Sequence, residues 1–200
     1  MSKINKLTTL AETKFLNLYN AEYSNKGGNI KNWIIASRKE KENLEGAYLN
    51  NKELQDDAVL IVPFHKEEEK IVVIRQFRVP INSYIYEMPA GLIDKGESPQ
   101  TAITRELKEE TGLDVIEILK NTVKGQLFLS PGMTDESVTS VFCTCGGTIS
   151  KAYMEEDEDI EPILLSQKEA QELLIKDVKF DIKCYIYLQE FAKSGNEMFK

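Results

Sequence analysis

The alternation of apolar and polar residues divides the chain into short strands and a few helices. Residues 14–23 and 32–37 have the pattern of β-strands, and Gly27 and Gly28 mark a turn between them. We predict a small N-terminal β unit from this pair. Residues 40–53 are charged and only weakly periodic, so a connector is predicted there.

Stronger patterns follow in the rest of the chain. Residues 57–64 and 71–77 are apolar strands, and the charged run 65–70 between them predicts a solvated hairpin loop. Further strands are predicted at 115–129, 137–145 and 162–165, an acidic loop at 151–161, and helices at 98–112, 167–174 and 181–192. Because strands dominate the middle and helices flank them, the fold class is predicted to be α/β (α+β). Residues 1–50 would form the β unit and residues 51–200 the second domain.

Composition narrows the class of protein. The 200 residues include 25 Lys and Arg against 33 Asp and Glu, a formal net charge of −8. Phosphate contacts need clustered Lys and Arg, so no nucleic-acid partner is expected. The longest unbroken apolar run, 58–62, is far too short to span a bilayer, and residues 1–30 show no secretory signal. Three Cys cannot all pair, so we expect a reduced, cytoplasmic protein without a membrane partner.

The predicted helix at 98–112 has well-defined ends. Ser98 is a favourable N-cap, and Pro99 suits the first helical position. Gly112 suits the position just after the last turn. The register of the side chains between these ends is therefore predictable.

Three carboxylates share one side of this helix. With Glu106 at zero and ~100° per residue, Glu109 falls at about −60° and Glu110 at about +40°. The apolar stripe of Ile103 and Leu107 lies at about +60° and +100°, so Glu110 borders the buried face. Clustered carboxylates suit hard divalent cations such as Mg²⁺. A solvated charged face is the other interpretation, and the helix alone leaves both open.

A longer string of residues includes this helix and the loop before it. Gly91 is followed by five residues, Glu97, seven more residues and the run RELKEETGL at 105–113. This string resembles the Nudix box, whose pattern is a glycine, five residues, a glutamate, seven residues and R-E-U-x-E-E-x-G-U, with U aliphatic. All seven fixed letters are present. The resemblance implies an α/β/α sandwich with a mixed sheet. It also implies a loop–helix–loop that holds a divalent metal, Mg²⁺ or Mn²⁺, against a diphosphate.

Three further segments lie in or beside the start of the box and downstream of it: RQFR at 75–78, EMPAGLID at 87–94 and SPGMTDE at 130–136. These segments resemble those of the ADP-ribose pyrophosphatase branch of this family. The resemblance implies hydrolysis of ADP-ribose, or of a related nucleoside diphosphate sugar, to AMP and a sugar phosphate. It further implies a homodimer in which the N-terminal β unit is swapped between subunits.

The same resemblance assigns roles to individual residues. The implied metal ligands are Ala90, through its backbone carbonyl, and Glu106, Glu109, Glu110 and Glu158. The implied catalytic residues are Glu97, which would pair with Arg105 to orient the helix, together with Arg105, Glu109, Glu136 and Glu158. The implied substrate contacts are Trp33, which would stack on adenine, and Arg38, Arg78, Glu87 and Glu136.

Several of these residues have a structural interpretation that stays open. Trp33 could pack in the core. Arg75 and Arg78 could be surface charges, and Glu136 could cap a turn. The acidic loop could be solvated charge, and its other glutamates leave open which one is catalytic: Glu155, Glu156 and Glu161.

The cysteines are predicted to be structural. Cys143 and Cys145 alternate on a strand, so they are expected to face one side of it as reduced core thiols. A zinc site with Cys184 and His65 is nominally possible, but no paired Cys-x-x-Cys spacing supports it.

Two other functions compete with the pyrophosphatase. A Nudix-fold isopentenyl diphosphate isomerase would need a catalytic Cys and metal-binding histidines, and the chain has one His. A non-catalytic nucleotide sensor would usually have a degraded box or an added basic domain, and neither is present. Among hydrolase substrates, the residues do not separate ADP-ribose from other ADP-sugars, GDP-sugars or diadenosine compounds.

Overall fold

The computed structural model describes residues 2–154 and 158–200, so Glu155 and Glu156 lie outside the described residues. The strands are β1 Lys3–Ala11, β2 Asn17–Ser24, β3 Ile30–Ser37, β4 Ala58–His65, β5 Lys70–Arg78, β6 Ser83–Glu87, β7 Ala90–Leu92, β8 Asp114–Ile118, β9 Lys124–Phe128, β10 Ser137–Gly146 and β11 Ile160–Leu165. The helices are α1 Lys41–Asn50, α2 Pro99–Thr111, α3 Gln167–Leu174 and α4 Ile182–Ser194. Within the described residues, no helix combines the length and the apolar character that crossing a bilayer requires.

The chain forms two compact units. Unit 1 comprises Met1–Asp57 and Gly125–Val138, and unit 2 comprises Ala58–Lys124 and Thr139–Lys200. Unit 1 therefore combines the N-terminal segment with a loop from the middle of the chain, the loop that carries Glu136.

Unit 1 is built on a three-stranded antiparallel sheet in the order β1-β2-β3. The strands predicted at 14–23 and 32–37 are β2 and β3, whereas β1 was not predicted. The predicted connector is wrong, because α1 occupies that segment. Leu44 of α1 is fully buried in one cluster with Leu7 and Tyr19. This tertiary packing stabilises a helix whose own periodicity is weak.

Unit 2 is a sheet with helices on both faces. Its strands follow the order β11-β5-β4-β10-β8, with β6 beside β5 and β7 beside β4. Every residue of β4 is buried, as expected for a strand covered on both sides. Val59 and Ile61 pack in one cluster with Ile103 of α2, whereas the ring of Phe64 lies 6.3 Å from the ring of Phe191 of α4. The predicted α/β/α sandwich is confirmed.

Most predicted elements of unit 2 appear within a few residues of their expected bounds. The helices predicted at 98–112, 167–174 and 181–192 are α2, α3 and α4. The single strand predicted at 115–129 is wrong: a short 3₁₀ turn at Lys120–Thr122 separates β8 from β9. The hairpin loop predicted at 65–70 is exposed at 66–69. The prediction is wrong at its two ends, because His65 is a buried residue of β4 and Lys70 is the first residue of β5.

The three cysteines are free and buried. Cys143 and Cys145 lie in the same apolar cluster beneath α2, on one face of β10 as predicted. His65 is buried and its Nε2 lies 2.9 Å from the carbonyl oxygen of Gly147. The single histidine is thus held by the backbone of the fold.

Candidate active site

The helix α2 begins and ends as its sequence predicts. The Ser98 side chain accepts a hydrogen bond from the N–H of Thr101, and Pro99 is the first helical residue. Gly112 follows the last turn with φ 77°, in the left-handed region that favours glycine. A Cβ at Gly112 would lie 2.6 Å from the backbone nitrogen of Ser150, so the close approach also requires glycine.

Strand β7 brings the backbone of the box glycine against α2. Ala90 and Gly91 pair with Leu60 and Val59 of β4. A Cβ on Gly91 would lie 1.9 Å from the carboxyl carbon of Glu106. No side chain fits in that space, so glycine is what allows the carboxylate to lie against the strand.

Arg105 links the loop before α2 to the carboxylates of the helix. Its guanidinium donates to both carboxylate oxygens of Glu97, at 3.0 and 2.8 Å, and to the carbonyl of Leu92 at 2.9 Å. It also donates to Glu106 at 2.7 Å and to Glu109 at 2.9 Å. The hydrogen bond from Arg105 lowers the pKa of Glu97. The predicted pairing of Glu97 with Arg105 is therefore present, and Arg105 holds two further glutamates.

Two of the glutamates are buried. Glu110 is 3% exposed and Glu106 is 8% exposed, as the helical wheel indicated for Glu110. Burial raises the pKa of Glu106 to about 7, against the opposing effect of Arg105. Burial also raises the pKa of Glu110, and the charges of Glu106 and Glu158 raise it further. Both carboxylates would gain from a cation beside them.

The carboxylates line one polar cavity of about 380 Å³. Its walls are Gln76, Arg78, Ala90, Gly91, Leu92, Asp94, Arg105, Glu106, Glu109, Glu110 and Glu158. The structure thus brings together all five predicted metal ligands. Gln76 and Asp94 were not predicted, although both lie in the two flanking segments that resemble the family.

The donor set of this cavity fits a hard divalent cation. Five acidic residues line it together with two arginines, and the charge of Glu106 disfavours the charged form of Glu110. As the side chains stand, no group of three or more acidic, histidine or cysteine residues in the described chain is arranged to hold an ion. The carboxylates of Glu106 and Glu109 accept hydrogen bonds from Arg105. The carboxylate of Glu110 accepts one from the N–H of Ala90 at 3.1 Å. Oxygen donors of this kind are those that Mg²⁺ prefers.

Arg78 and Glu87 form an ion pair at one side of this cavity. Their Nε and Oε2 atoms are 2.7 Å apart. Glu87 is largely buried and Arg78 is half exposed. Arg78 lines the cavity and its charge lowers the pKa of Glu110, so it is more than an isolated surface charge.

The structure separates the glutamates of the acidic loop. Glu158 lines the cavity, and its charge raises the pKa of both Glu106 and Glu110. Glu161 instead lies in β11 opposite Arg75, and its carboxylate is 3.4 Å from that guanidinium. Of the described glutamates of this loop, Glu158 is the one that lines the cavity.

Unit 1 holds the remaining predicted residues. The Nε atom of Arg38 donates to Oε1 of Glu136 at 2.8 Å. The Glu136 carboxylate is thus bound by an arginine, whereas its N–H donates to the side chain of Thr134. The carboxylate of Glu136 therefore binds an arginine side chain and does not cap the turn.

Trp33 is not a core residue. It is 52% exposed, and its Nε1 donates to the carbonyl of Gly132 at 3.2 Å. Its ring lines an apolar cavity of about 260 Å³ in unit 1, together with Phe128 and Met133. A flat apolar ligand could stack on an indole held in this way.

A buried ion cluster beside Arg38 and Glu136 was missed at the sequence level. The ammonium of Lys39 lies 2.6 Å from both carboxylate oxygens of Asp57 and 3.2 Å from Asp135. Lys39 follows Arg38, and Asp135 precedes Glu136. No local pattern marks Lys39, because its partner Asp57 is distant in sequence.

Comparisons with known proteins place this arrangement in a family. The NUDIX domain model matches residues 54–187. Over 125 residues the chain is 34% identical to an ADP-ribose pyrophosphatase of Bacillus subtilis, covering 62% of this chain and 65% of that protein. Over 135 residues it is 35% identical to a methanol dehydrogenase activator of Bacillus methanolicus, covering 63% of this chain and 70% of that protein. A crystal structure of an ADP compounds hydrolase matches in fold, with a TM-score of 0.70 at 19% identity, over 99% of this chain and 95% of that chain.

The chain belongs to the Nudix hydrolase family. Members of this family generally use divalent metals. The chain spans 65% of the length of its Bacillus subtilis relative, slightly less than two thirds.

Proposed function

We propose that the protein hydrolyses the diphosphate bond of ADP-ribose to AMP and ribose 5-phosphate, or cleaves a related nucleoside diphosphate sugar. The observation that carries this proposal is the cavity of unit 2, where Glu106, Glu109, Glu110 and Glu158 share one space with Arg78. An anionic diphosphate needs cations in such a site, and the similarity to an ADP-ribose pyrophosphatase supports this substrate class.

The carboxylates of the cavity would hold Mg²⁺, or Mn²⁺. We assign Glu106, Glu109, Glu110 and Glu158 and the carbonyl of Ala90 to this task, in agreement with the family pattern. When bound, the metal would neutralise and polarise the diphosphate. Arg105 and Glu97 would set the orientation of the carboxylates through the hydrogen bonds described above.

Glu158 is our candidate for the group that orients and deprotonates the attacking water. It lies in the same cavity as Glu106 and Glu110, whereas the carboxylate of Glu136 is already bound by Arg38. A positioned general base contributes ~10²–10⁴ in rate. Glu136 remains the rival for this role.

Our candidates for substrate contacts are Trp33, Arg38 and Glu136 in unit 1, and Arg78 and Glu87 in unit 2. The exposed indole of Trp33 offers a stacking face for adenine. Arg38 and Arg78 each carry a guanidinium that could bind a phosphate or ribose oxygen. The ion pairs with Glu136 and Glu87 hold these guanidiniums in place.

We further propose a homodimer in the cytoplasm. Apolar side chains of the small sheet, among them Leu18 and Ile34, are exposed in unit 1. A three-stranded sheet of this kind gains stability when such a face is covered. Buried reduced thiols agree with a reducing compartment. A monomeric mass by light scattering at micromolar concentration would contradict the dimer.

The test is a substrate panel with purified protein. ADP-ribose, other ADP-sugars, a GDP-sugar and a diadenosine compound are incubated with saturating Mg²⁺, and the products are separated by chromatography. AMP and ribose 5-phosphate are expected from ADP-ribose. Glu110→Gln should abolish most of this activity, whereas Glu117→Gln on the exposed part of β8 should not. If no compound is cleaved, the proposed hydrolase function is wrong.

The isomerase alternative is disfavoured by the thiols. It would require an accessible catalytic Cys, and all three cysteines are buried. Burial raises the pKa of Cys145 to about 12 and raises the pKa of Cys143 and Cys184 as well. None of the three is a nucleophile in this fold.

A further inference from the structure

Asp159, the residue after Glu158, is tied to the neighbouring hairpin of β5 and β6. The backbone N–H of Phe77 donates to the carbonyl of Asp159 at 3.2 Å. The phenol of Tyr84 donates to a carboxylate oxygen of the same residue. Asp159 is therefore held at its backbone carbonyl by Phe77 and at its carboxylate by Tyr84.

Tyr84 is itself held in place by its neighbours. It lies opposite Phe77 in the β5–β6 register, and the two rings meet edge to face at 5.5 Å. The guanidinium of Arg75 lies over the Tyr84 ring, 4.1 Å from its centre. Arg75 also pairs with Glu161 of β11. The cation over the ring and the edge-to-face contact each add a modest attraction, so together they fix the orientation of the phenol.

This arrangement bears directly on Glu158, because one peptide bond separates it from Asp159. Glu158 lines the carboxylate cavity, and residues 155–157 lie outside the described chain. The hydrogen bonds from Tyr84 and Phe77 hold Asp159, the residue immediately after Glu158, to the β5–β6 hairpin.

We propose that Tyr84 is a positioning residue: through Asp159 it sets where the Glu158 carboxylate lies in the cavity. The proposal rests on the proposed function, in which Glu158 orients the attacking water. A group that acts on the reacting atoms must be held within a fraction of an ångström, and a misplacement of ~1 Å can cost about 10²-fold in rate. Tyr84 itself is not among the described residues that line the cavity.

The test is Tyr84→Phe, which removes the phenol oxygen and keeps the ring. We expect kcat for ADP-ribose to fall by about tenfold. This is less than the ~10²-fold loss that a misplacement of about 1 Å can cause. KM for ADP-ribose should stay as in the parent protein. Tyr86→Phe is the matched control, two residues along the same strand, with its ring against Phe180. It should keep the parent kcat.

A second background decides whether Tyr84 acts through Glu158. In Glu158→Gln, adding Tyr84→Phe should lower kcat no further, because the positioned group is already gone. If the two losses multiply instead, or if Glu158→Gln keeps the full rate, the positioning role is wrong. An unchanged kcat of Tyr84→Phe would equally overturn it, while leaving the hydrolase function intact.

Asp159→Asn provides an independent variant of the same contact. It weakens the charged acceptor without touching the aromatic cluster, and it should reproduce the fall in kcat at unchanged KM. Circular dichroism and the melting temperature confirm that each variant is folded. If the parent protein cleaves no nucleotide of the panel, the proposed function fails first, an outcome distinct from a failure of the Tyr84 role.

Discussion

The carboxylate of Glu106 lies so close to Gly91 that any side chain at position 91 would overlap it. A Cβ built on Gly91 would be 1.9 Å from Cδ and 2.1 Å from both carboxylate oxygens of Glu106. Arg105 holds the same carboxylate from the other side at 2.7 Å. The first residue of the motif and a helix residue fifteen positions further along the chain thus form one close contact in the cavity.

Gly91→Ala should therefore disrupt the carboxylate cluster. The methyl group must displace the Glu106 carboxylate or the strand, and either change moves a proposed metal ligand. We expect at least a tenfold fall in kcat/KM and a higher Mg²⁺ requirement, since ~1 Å errors in such sites cost up to about 10²-fold. Gly27→Ala is the control, because its Cβ would meet only flexible side-chain atoms at 3.4 Å. Equal activities of the two variants would show that the contact is not needed.

Glu110→Gln should separate metal binding from folding. The buried carboxylate carries a desolvation penalty that the amide does not, so the metal-free variant should melt at a temperature equal to or above that of the parent. Its affinity for Mg²⁺ should fall by about tenfold or more, since even supporting groups of metal sites cost ~10–100-fold. Calorimetric titration with Mg²⁺ and melting curves with and without metal measure both. An unchanged affinity would remove Glu110 from the metal site.

The Glu97–Arg105 pair predicts a pH dependence of stability. Arg105 lowers the pKa of Glu97 in the folded protein, so the pair stabilises the fold above the pKa of Glu97 in the unfolded chain, about 4.3. That contribution is lost as the pH falls through the lowered pKa of the folded state. Glu97→Gln should thus melt below the parent at pH 7, and the difference should shrink towards pH 3. A difference that is constant with pH would contradict this account.

Trp33→Ala should raise KM more than it lowers kcat. Stacking on a base contributes uniform binding, which acts on KM. Base–aromatic stacking is worth ~1–3 kcal/mol, so a rise of roughly tenfold to a hundredfold is expected at ~1.4 kcal/mol per decade. Phe15→Ala removes another exposed aromatic ring of unit 1 and serves as the control. Michaelis–Menten kinetics with ADP-ribose decide between stacking and an unrelated surface role.

The native thiols should resist modification. Burial raises the pKa of Cys143, Cys145 and Cys184, so little thiolate forms at pH 8 and the sulfurs are not accessible. Ellman's reagent should titrate none of the three in the folded protein and all three in guanidinium chloride. Rapid labelling of a native thiol would revive the isomerase alternative.

Local patterns were enough to predict the helix α2, its ends and the side of it on which the glutamates lie. Ser98, Pro99 and Gly112 mark the ends of α2 because capping depends on residues only a few positions apart. The wheel placed Glu110 at the edge of the buried face for the same reason, and the structure has it buried there. The resemblance of the flanks then brought in Glu158, whose place in the cavity no local rule could give.

What the sequence by itself determined is the α/β architecture, the ends of α2 and the side of that helix on which the glutamates lie. Only the tertiary structure decided that Lys39 pairs with Asp57 and that Tyr84 reaches Asp159, since these partners come from segments far apart in the chain. It also decided that α1 is a helix, through the burial of Leu44. Propensity and periodicity act over a few residues, whereas ion pairs and packing between distant segments exist only once the chain has closed its loops.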